Sequence, residues 1–170
     1  EDEITSDPMG GNMNVGKTRR LGSELSARLN LTDTLSGNAG VTLEDAQIRA
    51  GAYTGREMPL VPALQAGAGL SWNAGQHAVY SARLNHVGKR RYGDDYANVA
   101  GYLSGYTTLD LMASWRIRDW KLDARILNAA DKRYAAYAGY GFNSRIGAND
   151  TFYYPADGRT FGMTARYDFR

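Results

Sequence analysis

The sequence predicts an all-β protein, a transmembrane antiparallel β-barrel of which about seven consecutive strands are present. Three observations point there. Seven segments alternate apolar and polar residues, and a strand sends successive side chains to opposite faces. They run to about ten residues, enough for a tilted strand to cross a bilayer, where soluble sheets use strands nearer five or six. Short and long connections alternate, as in a barrel with one tight rim and one looped rim.

The first segment, Thr18 to Leu31, sets Leu21, Ser23, Leu25, Ala27 and Leu29 against Gly22, Glu24, Ser26, Arg28 and Asn30. Leu21, Leu25 and Leu29 also match a helical spacing, but Gly22 and Ser23 disfavour a helix. The second, Gly37 to Ile48, sets Ala39, Val41 and Leu43 against Asn38, Gly40, Thr42 and Glu44. The third, Ala63 to Asn73, carries Leu64, Ala66, Ala68, Leu70 and Trp72 on its apolar face. The fourth, His77 to Arg91, carries Ala78, Tyr80, Ala82 and Leu84, with Arg83 and Asn85 opposite. The fifth, Thr107 to Arg118, sets Leu109, Leu111, Ala113, Trp115 and Ile117 against Asp110, Met112, Ser114 and Arg116. The sixth, Trp120 to Asn128, sets Trp120, Leu122, Ala124 and Ile126 against Lys121, Asp123, Arg125 and Leu127. The seventh, Thr160 to Phe169, sets Phe161, Met163, Ala165, Tyr167 and Phe169 against Thr160, Gly162, Thr164, Arg166 and Asp168.

Asp33 to Ser36, Gly75-Gln76 and Arg118-Asp119 read as tight turns, and Arg49 to Pro62, Tyr92 to Tyr106 and Lys132 to Gly158 as long links. In an outer-membrane barrel the tight rim faces the periplasm. Trp72, Trp115, Trp120, Tyr167 and Phe169 fall near that rim, where an aromatic girdle is expected.

Composition excludes several classes. A net charge of +2, with no basic run beyond Lys89-Arg90-Arg91, argues against a nucleic-acid partner. Mean hydropathy is −0.49, and no apolar stretch approaches the roughly 18 residues of a membrane helix. Cysteine is absent, which excludes disulfides and zinc thiolate sites. His77 and His86 have no partner at ligand spacing, and no nucleophile has a base placed by sequence, so no catalytic residue, metal ligand or cofactor is assigned. Asp94-Asp95 reads as a solvated loop.

Gly11 to Thr18 matches the P-loop pattern G-x-x-x-x-G-K-[ST]. A working P-loop needs a buried strand before it and a helix after it. Neither is legible, so the segment reads as a Gly/Asn-rich loop leading into a strand, with no nucleotide bound. The last long link crowds Tyr137, Tyr140, Phe142, Tyr153 and Tyr154 with Arg133 and Arg145. Aromatics with polar edges and cations suit capture of an aromatic, anionic ligand. Packing within an aromatic belt explains the same residues.

Four segments resemble the C-terminal part of the barrel of TonB-dependent outer-membrane receptors. Asn14 to Leu25 resembles the family's N-x-G-K-A-x-x-x-G-x-E strand, which accounts for the P-loop match. Gly55 to Pro62 resembles G-x-x-L-P-x-V-P, Leu127 to Tyr134 resembles N-L-x-D-K-x-Y, and Tyr154 to Phe161 resembles P-x-x-G-R-x-F. Order and spacing agree over nearly the whole chain. Ala129 departs from the usual Leu or Phe, and Arg170 follows the aromatic at which the family usually stops.

The resemblance implies a plugged barrel of about 22 strands in the outer membrane of a Gram-negative bacterium. It implies uptake of a scarce chelate, a ferric siderophore above all, energised by the TonB complex through a region N-terminal to these residues. Outer-membrane lipid and a metal chelate are the implied partners. Residues 1–170 are then the C-terminal portion of such a barrel, without plug domain or signal peptide. The alternative is a self-contained eight-stranded barrel of structural or adhesin type, in which residues 1 to 14 supply a further strand. Pro8, Gly10 and Gly11 make that segment poor strand material.

Overall fold

A computed structural model describes residues 2–6 and 12–169. Ten strands and no helix are found among them: β1 (Asp2–Ser6), β2 (Asn12–Asn30), β3 (Leu35–Ile48), β4 (Leu64–Ala74), β5 (Ala78–Val87), β6 (Tyr106–Ile117), β7 (Trp120–Leu127), β8 (Ala135–Asn143), β9 (Ala148–Pro155) and β10 (Thr160–Tyr167). Eight form one antiparallel sheet in the order β1-β2-β3-β4-β5-β6-β7-β10, and β8 and β9 form a separate hairpin.

The register turns the separate alternations into one surface. Leu29, Gly37, Leu70, Ala82, Leu111, Ile126 and Phe161 lie in one row across seven strands. On the opposite face, Arg28, Asn38, Gly69, Arg83 and Asp110 form a row across five. A slip of one residue at any ladder would interleave the two sets. The apolar face is bare, with Leu25 71% and Met163 72% exposed. Such a surface needs an apolar solvent, because a contiguous oily face this wide is a heavy liability in water.

At the tight end the aromatics touch. Trp72 and Tyr80 stack at 5.7 Å between ring centres, and Tyr80 meets Trp115 edge-on at 6.1 Å. The indole N–H of Trp115 donates to Tyr80 Oη at 3.1 Å. Trp120 packs on Tyr167 at 5.0 Å, and Tyr167 on Phe169 at 4.8 Å.

The strands differ from the sequence reading in four respects. β2 begins at Asn12 and is 19 residues long, so the segment read as a loop before Thr18 is strand. Glu3 pairs with Gly16 and Ile4 with Asn14, which leaves Val15 as a bulge. Gly16 takes φ 100°, and a Cβ there would collide with the Ala50 carbonyl oxygen. The glycine of the apparent P-loop therefore serves a bulge, with no helix after it; Gly11 itself lies outside the described residues.

Second, residues 2–6 pair with β2, while Pro8, Gly10 and Gly11, which make residues 1 to 14 read as poor strand material, lie outside the described residues. Residues 2–6 do not give the self-contained barrel, because no ladder among the described residues joins β1 to β10. Third, the last long link contains the β8–β9 hairpin. Fourth, the ends shift: β3 starts at Leu35 within the expected turn, β5 stops at Val87, and β10 stops at Tyr167. Arg170 lies outside the described residues.

Candidate functional site

Above the polar face, the three long links fold onto one another. The first is fastened by the β2 bulge: Val15 turns inward onto Ala46, Ile48, Met58 and Tyr96. Arg49 N–H donates to Lys17 O at 2.6 Å, and Met58 N–H to Ala46 O at 2.9 Å. The loop resembling G-x-x-L-P-x-V-P thus plugs its apolar residue into a small core.

Glu57 clamps this link to the next. Arg91 Nε donates to Glu57 Oε2 at 2.7 Å, and Arg91 Nη2 to Tyr102 Oη at 3.1 Å. Tyr102 Oη donates in turn to Glu57 Oε2 at 2.9 Å, which holds its hydroxyl above the usual tyrosine range. Lys89 and Arg91 both lie over the Tyr102 ring, at 4.4 and 3.9 Å. Asn98 closes the clamp: its Oδ1 accepts from Glu57 N–H at 2.8 Å and its Nδ2 donates to Glu57 O at 3.0 Å. Asp95 is buried and accepts the Val99 and Ala100 amides at 2.8 and 2.9 Å. This corrects the reading of Asp94-Asp95 as a solvated pair: Asp95 organises its loop, and only Asp94 is exposed.

The β8–β9 hairpin grows from the polar wall. Arg83 Nε donates to Asn85 Oδ1 at 2.9 Å, and Asn85 Nδ2 to Asp110 Oδ2 at 3.3 Å. Asp110 Oδ1 accepts from Asn128 N–H at 2.9 Å. Asn128 is buried with φ 48°, a left-handed conformation that Asn tolerates better than most residues. Its side chain ties both legs of the hairpin: Oδ1 accepts Lys132 N–H at 2.9 Å, while Nδ2 donates to Lys132 O at 2.9 Å and to Asp157 O at 3.4 Å. Asp131, at φ 53°, accepts Arg159 N–H at 2.9 Å. The N-L-x-D-K-x-Y resemblance is thus a pair of left-handed turn residues that weld the hairpin base.

Higher up, Gly93 bridges to the hairpin, donating to Ala138 O and accepting from Tyr140 N–H, both at 2.8 Å. Tyr106 and Tyr134 stack at 3.9 Å, with Arg90 over Tyr106 and its Nη2 donating to Ala136 O at 2.9 Å. Burial holds the Tyr134 and Tyr137 hydroxyls above their usual range. The Tyr92 and Tyr153 hydroxyls share a 2.8 Å hydrogen bond. That bond, and then burial, push Tyr92 up to about 12.

The residues singled out as possible ligand contacts are dispersed by this hairpin. Tyr137 pairs with Tyr154 on one face, whereas Tyr140, Phe142 and Tyr153 occupy the other. Phe142 is 67% exposed and Tyr154 is also exposed, while Tyr153 is engaged with Tyr92. Arg145 sits at the hairpin tip and Arg133 before its base, so β8 separates them by about 30 Å. Sequence reading missed Glu57, Asn98, Tyr102 and Asn128. Two of them, Asn98 and Asn128, are asparagines at positive φ, a property a single sequence does not print. Among the described residues no group of His, Cys, Asp and Glu is placed to hold a metal ion.

Such a packed cap of loops, raised on one rim of a sheet bare on one face and charged on the other, is the architecture of an outer-membrane receptor barrel. The model of the TonB-dependent receptor-like β-barrel family matches residues 1–129, and the chain belongs to that family. Members are transport receptors of the Gram-negative outer membrane rather than enzymes. Among solved structures, the chain is similar to the ferric yersiniabactin uptake receptor FyuA of Yersinia pestis, at TM-score 0.79 and 23% identity over 94% of this chain and 25% of that one. It is similar to the siderophore receptor PiuA of Acinetobacter baumannii, at TM-score 0.71 and 24% identity over 96% and 24%. It is also similar to the copper transporter OprC, at TM-score 0.68 and 26% identity over 93% and 24%. The chain spans about a quarter of the length of these structures. No curated protein sequence matches it.

Proposed function

We propose that residues 1–170 are the C-terminal portion of the barrel of a TonB-dependent receptor that takes up a scarce metal chelate. The finer reading is a ferric siderophore, with energy delivered through TonB to a region N-terminal to these residues. The observation that carries the proposal is the unbroken apolar row across seven strands, opposite a charged face that rises into packed loops. The names of FyuA, a ferric yersiniabactin uptake receptor, PiuA, a siderophore receptor, and OprC, a copper transporter, support the cargo class.

In this reading the apolar face meets acyl chains and the polar face lines the interior. Trp72, Trp115, Trp120, Tyr167 and Phe169 then form the girdle at the periplasmic interface, where amphipathic rings are favoured. The long loops face outward. Phe142 and Tyr154 offer exposed rings for stacking, and Arg133 and Arg145 offer charge to an anionic chelate. The clamps at Glu57 and Asn128 pre-set the loop backbone, which lowers the entropy lost on binding.

Spin labels at Leu111 and Asp110 of the membrane-reconstituted receptor test the orientation. Label at Leu111 should respond to lipid-soluble oxygen and label at Asp110 to a water-soluble relaxant; equal responses overturn it. Uptake of labelled ferric chelate by cells in which this receptor is the sole route tests the cargo. Uptake should vanish when TonB is deleted, and uptake that persists without TonB overturns the energised mechanism.

A further inference from the structure

At the looped end, the apolar face of β2 and β3 turns ionic. Arg19 shares the face of Leu21 and Leu25, and Asp45 that of Leu43, because alternate residues of a strand point the same way. Arg19 is in register with Gln47, and Gln47 with Glu57 of the first link. This strip points away from the small core, since Ala46, Ile48 and Met58 take the other face. Lys17 lies beyond Arg19 on the same strand, and Arg49 is tied to Lys17 through its amide.

Lys17, Arg19, Arg49, Lys89 and Arg91 bring positive charge to the strip, against Asp45 and Glu57, with Asp2 in register with Lys17. Asp45 is engaged by Arg19 at 2.9 Å and Gln47 at 3.0 Å, and Glu57 by Arg91 and Tyr102. Lys17, Arg49 and Lys89 are exposed and form no ion pair among the described residues. The strip is therefore cationic after its own pairing. Directly beneath it, Leu21 is 65% and Leu43 51% exposed, and Leu21 is in register with Asp45.

Its height follows from β3. Leu35 pairs with Trp72 in the aromatic row at the tight end. From Leu35 to Asp45 the strand runs about 33 Å, and at a tilt of about 40° it climbs about 25 Å. That is about the height of the apolar band of an outer-membrane barrel. The strip thus stands at the headgroup level of the leaflet opposite the aromatic row.

We propose that this strip binds the phosphorylated headgroup of an outer-leaflet lipid, with Lys17, Arg19 and Arg49 on its phosphate and an acyl chain lying over Leu21 and Leu43. The inference rests on the reading that the apolar face meets lipid. Charge complementarity and continuity with that face identify the occupant: guanidinium forks match phosphate oxygens, and the leucines below need a hydrocarbon partner. A soluble chelate has no chain to lay on them. A second copy of the same face would set like charges against each other.

The test uses the purified full-length receptor in a non-ionic detergent, with lipid A and its dephosphorylated form as probes and native mass spectrometry as the readout. Wild type should bind lipid A at least tenfold more tightly than the dephosphorylated form, and K17Q/R19Q/R49Q should lose that preference. Equal binding of the two lipids by wild type overturns the site without recourse to any variant. So does a variant that folds and keeps the preference. Equimolar inorganic phosphate should leave lipid A bound; displacement by it marks a free-anion site and overturns the lipid as occupant. A photo-crosslinking residue in place of Ser23, which pairs with Leu43, should capture lipid A in preference to the dephosphorylated form, and equal capture counts against the site. Equal responses of the Leu111 and Asp110 labels overturn the orientation reading and this site together. Unequal responses with phosphate-independent binding overturn the site alone.

Discussion

Replacing Asn128 by alanine should unfasten the β8–β9 hairpin while leaving the sheet paired. The substitution removes three side-chain hydrogen bonds, two at 2.9 Å and one at 3.4 Å. Each short bond is worth about 1 kcal/mol net and the long one less. Alanine also loses the tolerance of asparagine for φ 48°, at a cost of about 1 kcal/mol. Lys132 is exposed, so water recovers part of its lost bonding. The sum is about 3 kcal/mol, a local opening equilibrium raised roughly a hundredfold. Hydrogen exchange at the β8 and β9 amides of the intact receptor reads this directly, and cleavage between Asn143 and Ala148 by added protease reads it as a rate. Asn128→Gly restores freedom of φ and should recover about 1 kcal/mol of the loss. Asn128→Asp keeps the acceptor for Lys132 N–H but not the donor, and should fall between wild type and alanine. Unchanged exchange in β8 and β9 for Asn128→Ala would refute the account of the base.

Gly16→Ala meets both a φ of 100° and the Ala50 carbonyl, so it should destabilise the folded receptor by about 2–4 kcal/mol, read as a lower temperature of heat modification on gels. Lys17→Ala should leave that temperature nearly unchanged and should abolish no nucleotide binding, because wild type should show none by equilibrium dialysis. Lipids brominated near the headgroup should quench tryptophan fluorescence more strongly than lipids brominated at the chain end, since Trp72, Trp115 and Trp120 share the tight rim. Fold raises the Tyr92 hydroxyl from 10.0 to about 12, so folding favours its neutral form. Its contribution to loop stability is complete below pH 10 and lost as pH rises toward about 12. Exchange at β9 should rise over that window in wild type and not in Tyr92→Phe.

The sheet was legible because its physics is local. Alternation at Leu109, Leu111, Ala113, Trp115 and Ile117 follows from the backbone whatever the neighbours do. The register, the open edges and the face assignments of β2 to β7 and β10 add nothing that those patterns contradict. The site was less legible because its residues act at long range. Glu57 meets Asn98 and Arg91 from another loop, and nothing near Glu57 in sequence announces either. The tyrosines of the last link look like one cluster in sequence, yet pairing Tyr137 with Tyr154 sends them to the opposite face from Tyr140 and Tyr153.

By itself, then, the sequence determined which residues share the apolar face and which the polar one, since two-residue periodicity needs only a strand to act on. It also determined the rims, through turn residues. Only the tertiary structure decided that Val15 is a bulge within a strand rather than part of a loop leading into one, that Asn128 holds a hairpin, and that Arg116, Lys121 and Arg166 stand side by side. These depend on ladder register and on backbone angles set by distant partners, which no local pattern encodes.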